Sequence, residues 1–110
     1  MTVTAKVLIA PKLAEAAQTT QYTAANVRAL IDKFTATNTT AGALTLSVNL
    51  VTLADTAGSQ NLTVKAKSLA AGETYTFPEL VGHILDIGGF ISTIASATGI
   101  SIRASGREVS

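Results

Sequence analysis

One histidine, His83, stands three residues before Asp86, and this pair is the chain's nearest approach to acid–base chemistry. An aspartate there could orient the imidazole, but a serine would have to supply the nucleophile. No serine has a G-x-S-x-G setting, and Ser59 after Gly58 reads as turn chemistry. Metal binding is no better served, since one histidine cannot build a zinc cluster, cysteine is absent, and Asp55, Asn61 and Asp86 are scattered. Asp55, Thr56, Gly58 and Ser59 could lend loop oxygens to calcium, yet an aspartate bonding its own turn accounts for the same residues. Gly88-Gly89 lacks the spacing of a phosphate loop and has no cation beside it. Stacking on a sugar or a base needs exposed aromatic rings. There is no tryptophan, and Phe34, Tyr75, Phe77 and Phe90 all have apolar, strand-like neighbours. Tyr22, in the polar stretch 18–24, is left as a surface or interface ring or as a lid on the core. The expectation is a protein with no catalytic residues, no metal and no cofactor.

The elements that would carry a surface are easier to read. The chain has 110 residues, one domain's worth. Charged residues make up 14% of it against a usual quarter or so, and 47% are hydrophobic. Such a composition excludes disorder and leaves much of the surface to uncharged side chains or to a partner. Seventeen threonines favour strands, because β-branched side chains fit a pleated surface. A net charge of +1 gives no field to gather nucleic acid or anionic lipid. Lys6 with the apolar run Val7–Ala10 is too short for a signal peptide before Pro11 stops it, so the expectation is a chain made in the cytoplasm.

Turn signals at 39–42, 55–58, 70–72, 88–89, 98–99 and 105–106 divide the chain into short alternating segments. The fold expected is all-β: an antiparallel β-sandwich, jelly-roll or Ig-like, with a short helical turn near residues 78–87. That turn is suggested by Pro78, Glu79 and the i, i+4 spacing of Leu80, Val81, Ile84 and Leu85 before Gly88. Leu44, Leu46, Val48 and Leu50 alternate with Thr45, Ser47 and Asn49, giving a strand with one apolar and one polar face. In the next strand Leu62, Val64 and Ala66 should face in, with Lys65 and Lys67 out. Between Val27 and Asn38 the apolar parity changes near Asp32-Lys33, which implies a kink. Phe90–Ala97 and Ile100–Ala104 read as a tight hairpin across Thr98-Gly99. The sandwich proper is expected over 19–110, and 1–18 is either its first strand or an N-terminal arm; Leu13–Gln18 is a short helix or extended chain.

Three stretches carry a resemblance: Phe34-Thr35-Ala36-Thr37-Asn38-Thr39, then Leu69-Ala70-Ala71-Gly72-Glu73-Thr74-Tyr75 with Pro78–Gly82, then Arg103-Ala104-Ser105-Gly106-Arg107-Glu108. In this order they resemble small structural proteins of tailed-bacteriophage virions, over residues 22–109. The resemblance implies a non-enzymatic capsid decoration (cement) protein that bridges major capsid subunits as a homo-oligomer, commonly a trimer, on the virion surface. A tail, neck or baseplate adaptor and a carbohydrate-binding adhesion module are the alternatives. Uncharged polar faces are buried at less cost than ionic ones, so the expected interface comprises Thr45, Ser47 and Asn49, the N-terminal Val3, Val7, Leu8 and Ile9, and Tyr22.

Overall fold

The computed structural model describes residues 2–110. Nine strands account for most of them: β1 (Val3–Leu13), β2 (Thr19–Thr23), β3 (Arg28–Asn38), β4 (Leu44–Val51), β5 (Leu62–Leu69), β6 (Thr74–Tyr75), β7 (Ile84–Leu85), β8 (Phe90–Ala95) and β9 (Ile100–Val109). Among the described residues the one helical element is a 3-10 turn at Ser59–Asn61, and no helix is long and apolar enough to cross a membrane.

The strands form two packed sheets, β1-β9-β3-β6 with β7 also on β3, and β2-β8-β4-β5. Every pairing is antiparallel, and the order has a simple origin. The chain pairs with itself as one long hairpin folded between β4 and β5, so that β3 meets β6 and β7, β2 meets β8, and β1 meets β9. Rolling that ribbon up sets β9 beside β3 and β8 beside β4. This is a jelly roll, one of the two sandwiches the turn pattern permitted. β1 runs along β9 from Val3 opposite Val109 to Leu13 opposite Ser101, and Leu8 and Ile9 enter the core. The N-terminal segment is therefore a strand of its own sandwich rather than an arm. Leu13 ends that strand, and residues 14–18 form no helix.

The kink expected in β3 is a bulge, with the register slipping between Ile31 and Lys33. The extra residue lets Ala29 and Ile31 before it and Phe34 and Ala36 after it all face the core. Gly106 pairs with Ile31 beside the bulge, and a Cβ there would overlap the Leu30 carbonyl oxygen. Ser105-Gly106 is consequently mid-strand and not a turn: glycine is needed for close approach, not for bending.

Three further expectations are corrected. Residues 78–87 form no helical turn. The amides of Leu80 and Val81 donate to Phe77 and Pro78 in two overlapping i→i+3 turns and that of His83 to Leu80 in a third, and Gly82 and His83 are then captured by the Ile31 backbone. Leu80 and Leu85 are buried while Val81 and Ile84 are exposed, so the apolar spacing marks a turn followed by an edge strand. Phe90–Ala97 and Ile100–Ala104 are not a hairpin either, because β8 and β9 lie in different sheets. Thr39 bonds to the Gly99 carbonyl and Ala14 to that of Ile100, which draws the chain across the end of the sandwich. In β5, Ala66 adopts φ 47° and is exposed, while Lys67 lies opposite buried Leu46. The Lys67 ammonium ends 4.4 Å over the Tyr75 ring, at the sandwich margin.

Phe34, Phe77 and Tyr75 stack edge to face, with centroids 5.2 and 4.8 Å apart, and join the first sheet to the segment after β6. At the end of β3, fully buried Asn38 holds two loops together. Its Nδ2 donates to the carbonyls of Gly42 and Leu69, and its Oδ1 accepts from the Thr40 amide and hydroxyl. The Asn38 backbone bonds to Glu73 and Gly72.

Two substitutions test these constraints. Gly106→Ala is expected to lower stability by at least about 2 kcal/mol in urea denaturation, because the methyl group meets backbone rather than a movable side chain. Asn38→Ala should cost about 3 kcal/mol by leaving buried donors and acceptors unpaired, and hydrogen exchange should rise first in the loops at 39–43 and 70–73.

Candidate functional site

Pairing fixes which side chains share the outer face of the first sheet, since direct partners point the same way. Arg28, Val109 and Val3 form one rung; Leu30, Arg107 and Ala5 the next; then Lys33, Ser105 and Val7 beyond the bulge. Thr35 with Arg103, and Thr37 with Ser101 and Leu13, complete the face. β1 thus contributes an apolar row, and β9 a row in which arginine and serine alternate. Ile84 of β7, opposite Leu30, extends the apolar end. Among the described residues, four of the seven exposed large apolar side chains, Val3, Val7, Leu13 and Ile84, belong to this face, and none lies on a strand of the second sheet. Beyond the strand ends Ile87, Arg28 and Val109 line a shallow cleft of about 270 Å³.

The face also holds half of the chain's eight cations: Arg28, Lys33, Arg103 and Arg107. Arg107 grips Asp32 with two hydrogen bonds of 3.0 Å, which raises the guanidinium pKa, and Arg28 meets Asp86 at 3.2 Å. The strands of the second sheet carry only Lys65 and Lys67, with no acid.

None of the sheet edges invites a further strand. β1 has two register breaks together with Lys6, Pro11 and Lys12. β5 has Lys65, Lys67 and the left-handed Ala66. β2 spans five residues, and the opposite edge of the first sheet is broken into β6 and β7 of two residues each. These are the devices that suppress edge-to-edge pairing, so faces and loops are left for association.

The expected interface residues separate. Val3 and Val7 lie on the outer face just described, whereas Leu8, Ile9 and Tyr22 are in the core and offer no docking surface. Thr45, Ser47 and Asn49 point out from the second sheet, but two of them serve the fold. Ser47 Oγ accepts the Ala66 amide at 2.8 Å. Asn49 is buried, donating to Gly58 and Asn61 and accepting from Gln18. Sequence reading missed Leu30, Ile84, Arg103 and Lys33; the alternation of β9 put Arg103 outside, but nothing in the sequence set it beside Lys33.

The candidates for chemistry converge without forming a centre. Asp55, Asn61, His83 and Asp86 line one cleft of about 400 Å³. Among the described residues no three His, Cys, Asp or Glu side chains are placed to hold a metal. Asp55 accepts from the Thr56 amide, Gln60 and Asn61, a self-contained turn that holds its carboxyl below the usual range.

Tyr22 crosses the sandwich, its hydroxyl donating to Glu108 at 2.5 Å, while Lys6 approaches the same carboxylate at 3.2 Å. The Tyr22 hydroxyl and Lys6 lower the Glu108 pKa; burial, and then that carboxylate, raise the pKa of Tyr22. Lys12 and Gln21 draw Glu15 from an ordinary 4.5 to about 2.

Comparison with known proteins finds no family model, no curated protein and no solved structure that matches the chain.

Both glutamates ionise more readily in the folded protein, so their stabilisation is full above about pH 4.5 and is lost as pH falls below it, for Glu15 as pH approaches 2. Tyr22 has the opposite sign, stabilising below its ordinary pKa of 10 and losing that contribution as alkali removes its proton. Tyr22→Phe should cost about 1.5 kcal/mol at pH 7 and flatten the alkaline limb of a urea-midpoint profile; Glu15→Gln with Glu108→Gln should flatten the acid limb.

Proposed function

We propose that the chain is a virion structural protein, a capsid decoration or cement protein that docks by the outer face of its first sheet and bridges neighbouring major capsid subunits. One observation carries the reading: exposed apolar side chains and arginines gather on a single face of a sandwich whose edges all resist strand addition. Docking patches combine such apolar cores with arginine, while charges elsewhere set register and rim. The resemblance of the Phe34–Thr39, Leu69–Gly82 and Arg103–Glu108 stretches to small phage virion proteins supplies the setting. Jelly rolls serve viral capsids and lectins alike, so the face, and not the fold, distinguishes the two. A carbohydrate-binding module is disfavoured because Tyr22, its first aromatic, is buried and hydrogen-bonded to Glu108. In a trimer each copy presents the same face, and avidity multiplies a weak contact without any chemistry.

Co-sedimentation with mature shells stripped of the protein, with isolated tails in parallel, tests the reading. Saturable binding to shells at a fixed stoichiometry is expected, and the exposed-site double variant Val3→Asp/Ile84→Asp should weaken it at least about tenfold with unchanged circular dichroism. Binding to tails alone, or equal binding by the variant, would overturn it.

A further inference from the structure

At the hydroxyl-rich end of the same face, Lys33, Thr35 and Thr37 of β3 and Ser101, Arg103 and Ser105 of β9 line a trough of about 380 Å³, with Pro11 on one side. Its two cations are diagonal neighbours: Lys33 pairs with Ser105, and Arg103 pairs with Thr35 one rung on. Diagonal positions on one sheet face are about 7–8 Å apart, within mutual reach of long side chains. Elsewhere on the face the charges are matched, Arg107 by Asp32 and Arg28 by Asp86. Lys6 and Lys12 also have carboxylate partners. No acid lines the trough, and the nearest in sequence, Asp32, is held by both of its oxygens on Arg107. Two exposed like charges thus stand at diagonal positions of one face among hydroxyl groups, with no acid in the trough, an arrangement that an anion between them would favour.

We propose that this trough receives carboxylates of an acidic protein surface, so that the docking partner presents Asp or Glu side chains between Lys33 and Arg103. The inference rests on the docking reading and gives the partner a chemistry. A protein surface fits better than a uniform polyanion. Two unpaired cations are few for tracking a phosphate backbone, and no aromatic ring lines the trough to stack a base or a sugar. Along one side runs the apolar row of Val7, Pro11 and Leu13, and a mixed apolar and cationic strip is the composition of a protein interface. Serine and threonine hydroxyls beside a guanidinium suit carboxylate oxygens, with Arg103 able to bind both oxygens of one group.

The test uses the intact chain and needs no capsid. A seven-residue glutamate peptide is titrated at low salt and followed by amide chemical shifts, with inorganic phosphate and a sulfated oligosaccharide as parallel arms. Shifts confined to residues 33–37 and 101–105 are expected. Lys33→Gln and Arg103→Gln should each weaken binding about fivefold, and physiological salt should weaken it further. Neither variant should lower the melting temperature, since no acid lines the trough for either cation to hold; a fall would make the pair structural and overturn the site. No shift with the peptide, shifts spread equally to Arg28, Lys65 and Lys67, or tighter binding of phosphate or the sulfated sugar would also overturn it. Peptide binding at the trough with no binding to shells would sink the decoration role and leave the acidic-protein site standing.

Discussion

The first sheet depends on β9 lying flush against a bulged β3. Within this sheet β9 is the strand paired along its length on both sides, with β1 and with β3. The Ile31–Lys33 bulge brings the β3 backbone so close that position 106 admits no side chain. If the bulge were absent, the parity of β3 would not change, and Phe34 and Ala36 would leave the core that Ala29 and Ile31 help to build. With it, the sheet closes over the second one, and the outer face acquires its order of apolar β1, arginine-bearing β9 and hydroxyl-bearing β3.

The three stretches on which the proposed virion role leans meet the same demands. Phe34 packs on Phe77, and Asn38 bonds to the carbonyl of Leu69 and the amide of Gly72, so the first two stretches grip one another. In the third, Gly106 fits the bulge, Arg107 holds Asp32, and Glu108 receives the Tyr22 hydroxyl from the opposite sheet. These residues build the jelly roll, and of them only Arg107 also lies on the outer face for which docking is proposed.

Charge is divided unevenly between the two sheets. The second has no acid on any strand, and its outward polar groups at Ser47 and Asn49 are spent on β5 and on the loop that follows β4. Those side chains keep a twisted, irregular pair of strands in register instead of waiting for a partner. The first sheet keeps its exposed valines and isoleucine on the surface beside its cations, and such apolar side chains lower solubility unless another surface covers them.

The pattern of residues alone was enough for the all-β class, the two-faced β4, the kink at Asp32, the outward Arg103 and the inward Ile100, Ile102 and Ala104, because each follows from period-two alternation along one strand. Periodicity misread residues 78–87: the i, i+4 spacing there is real, but the bonds that decide it come from Ile31 in another strand. It misread Phe90–Ala104 as well, since two strands joined by a short loop look alike whether they pair or pass to opposite sheets. The apparent turn at Ser105-Gly106 became a close backbone contact within the sheet, and Ser47 and Asn49 of β4 became internal ties. What faces water, what faces the core and which cations stand together are properties of pairing between strands distant in sequence, and only the rolled-up ribbon brings Lys33 beside Arg103.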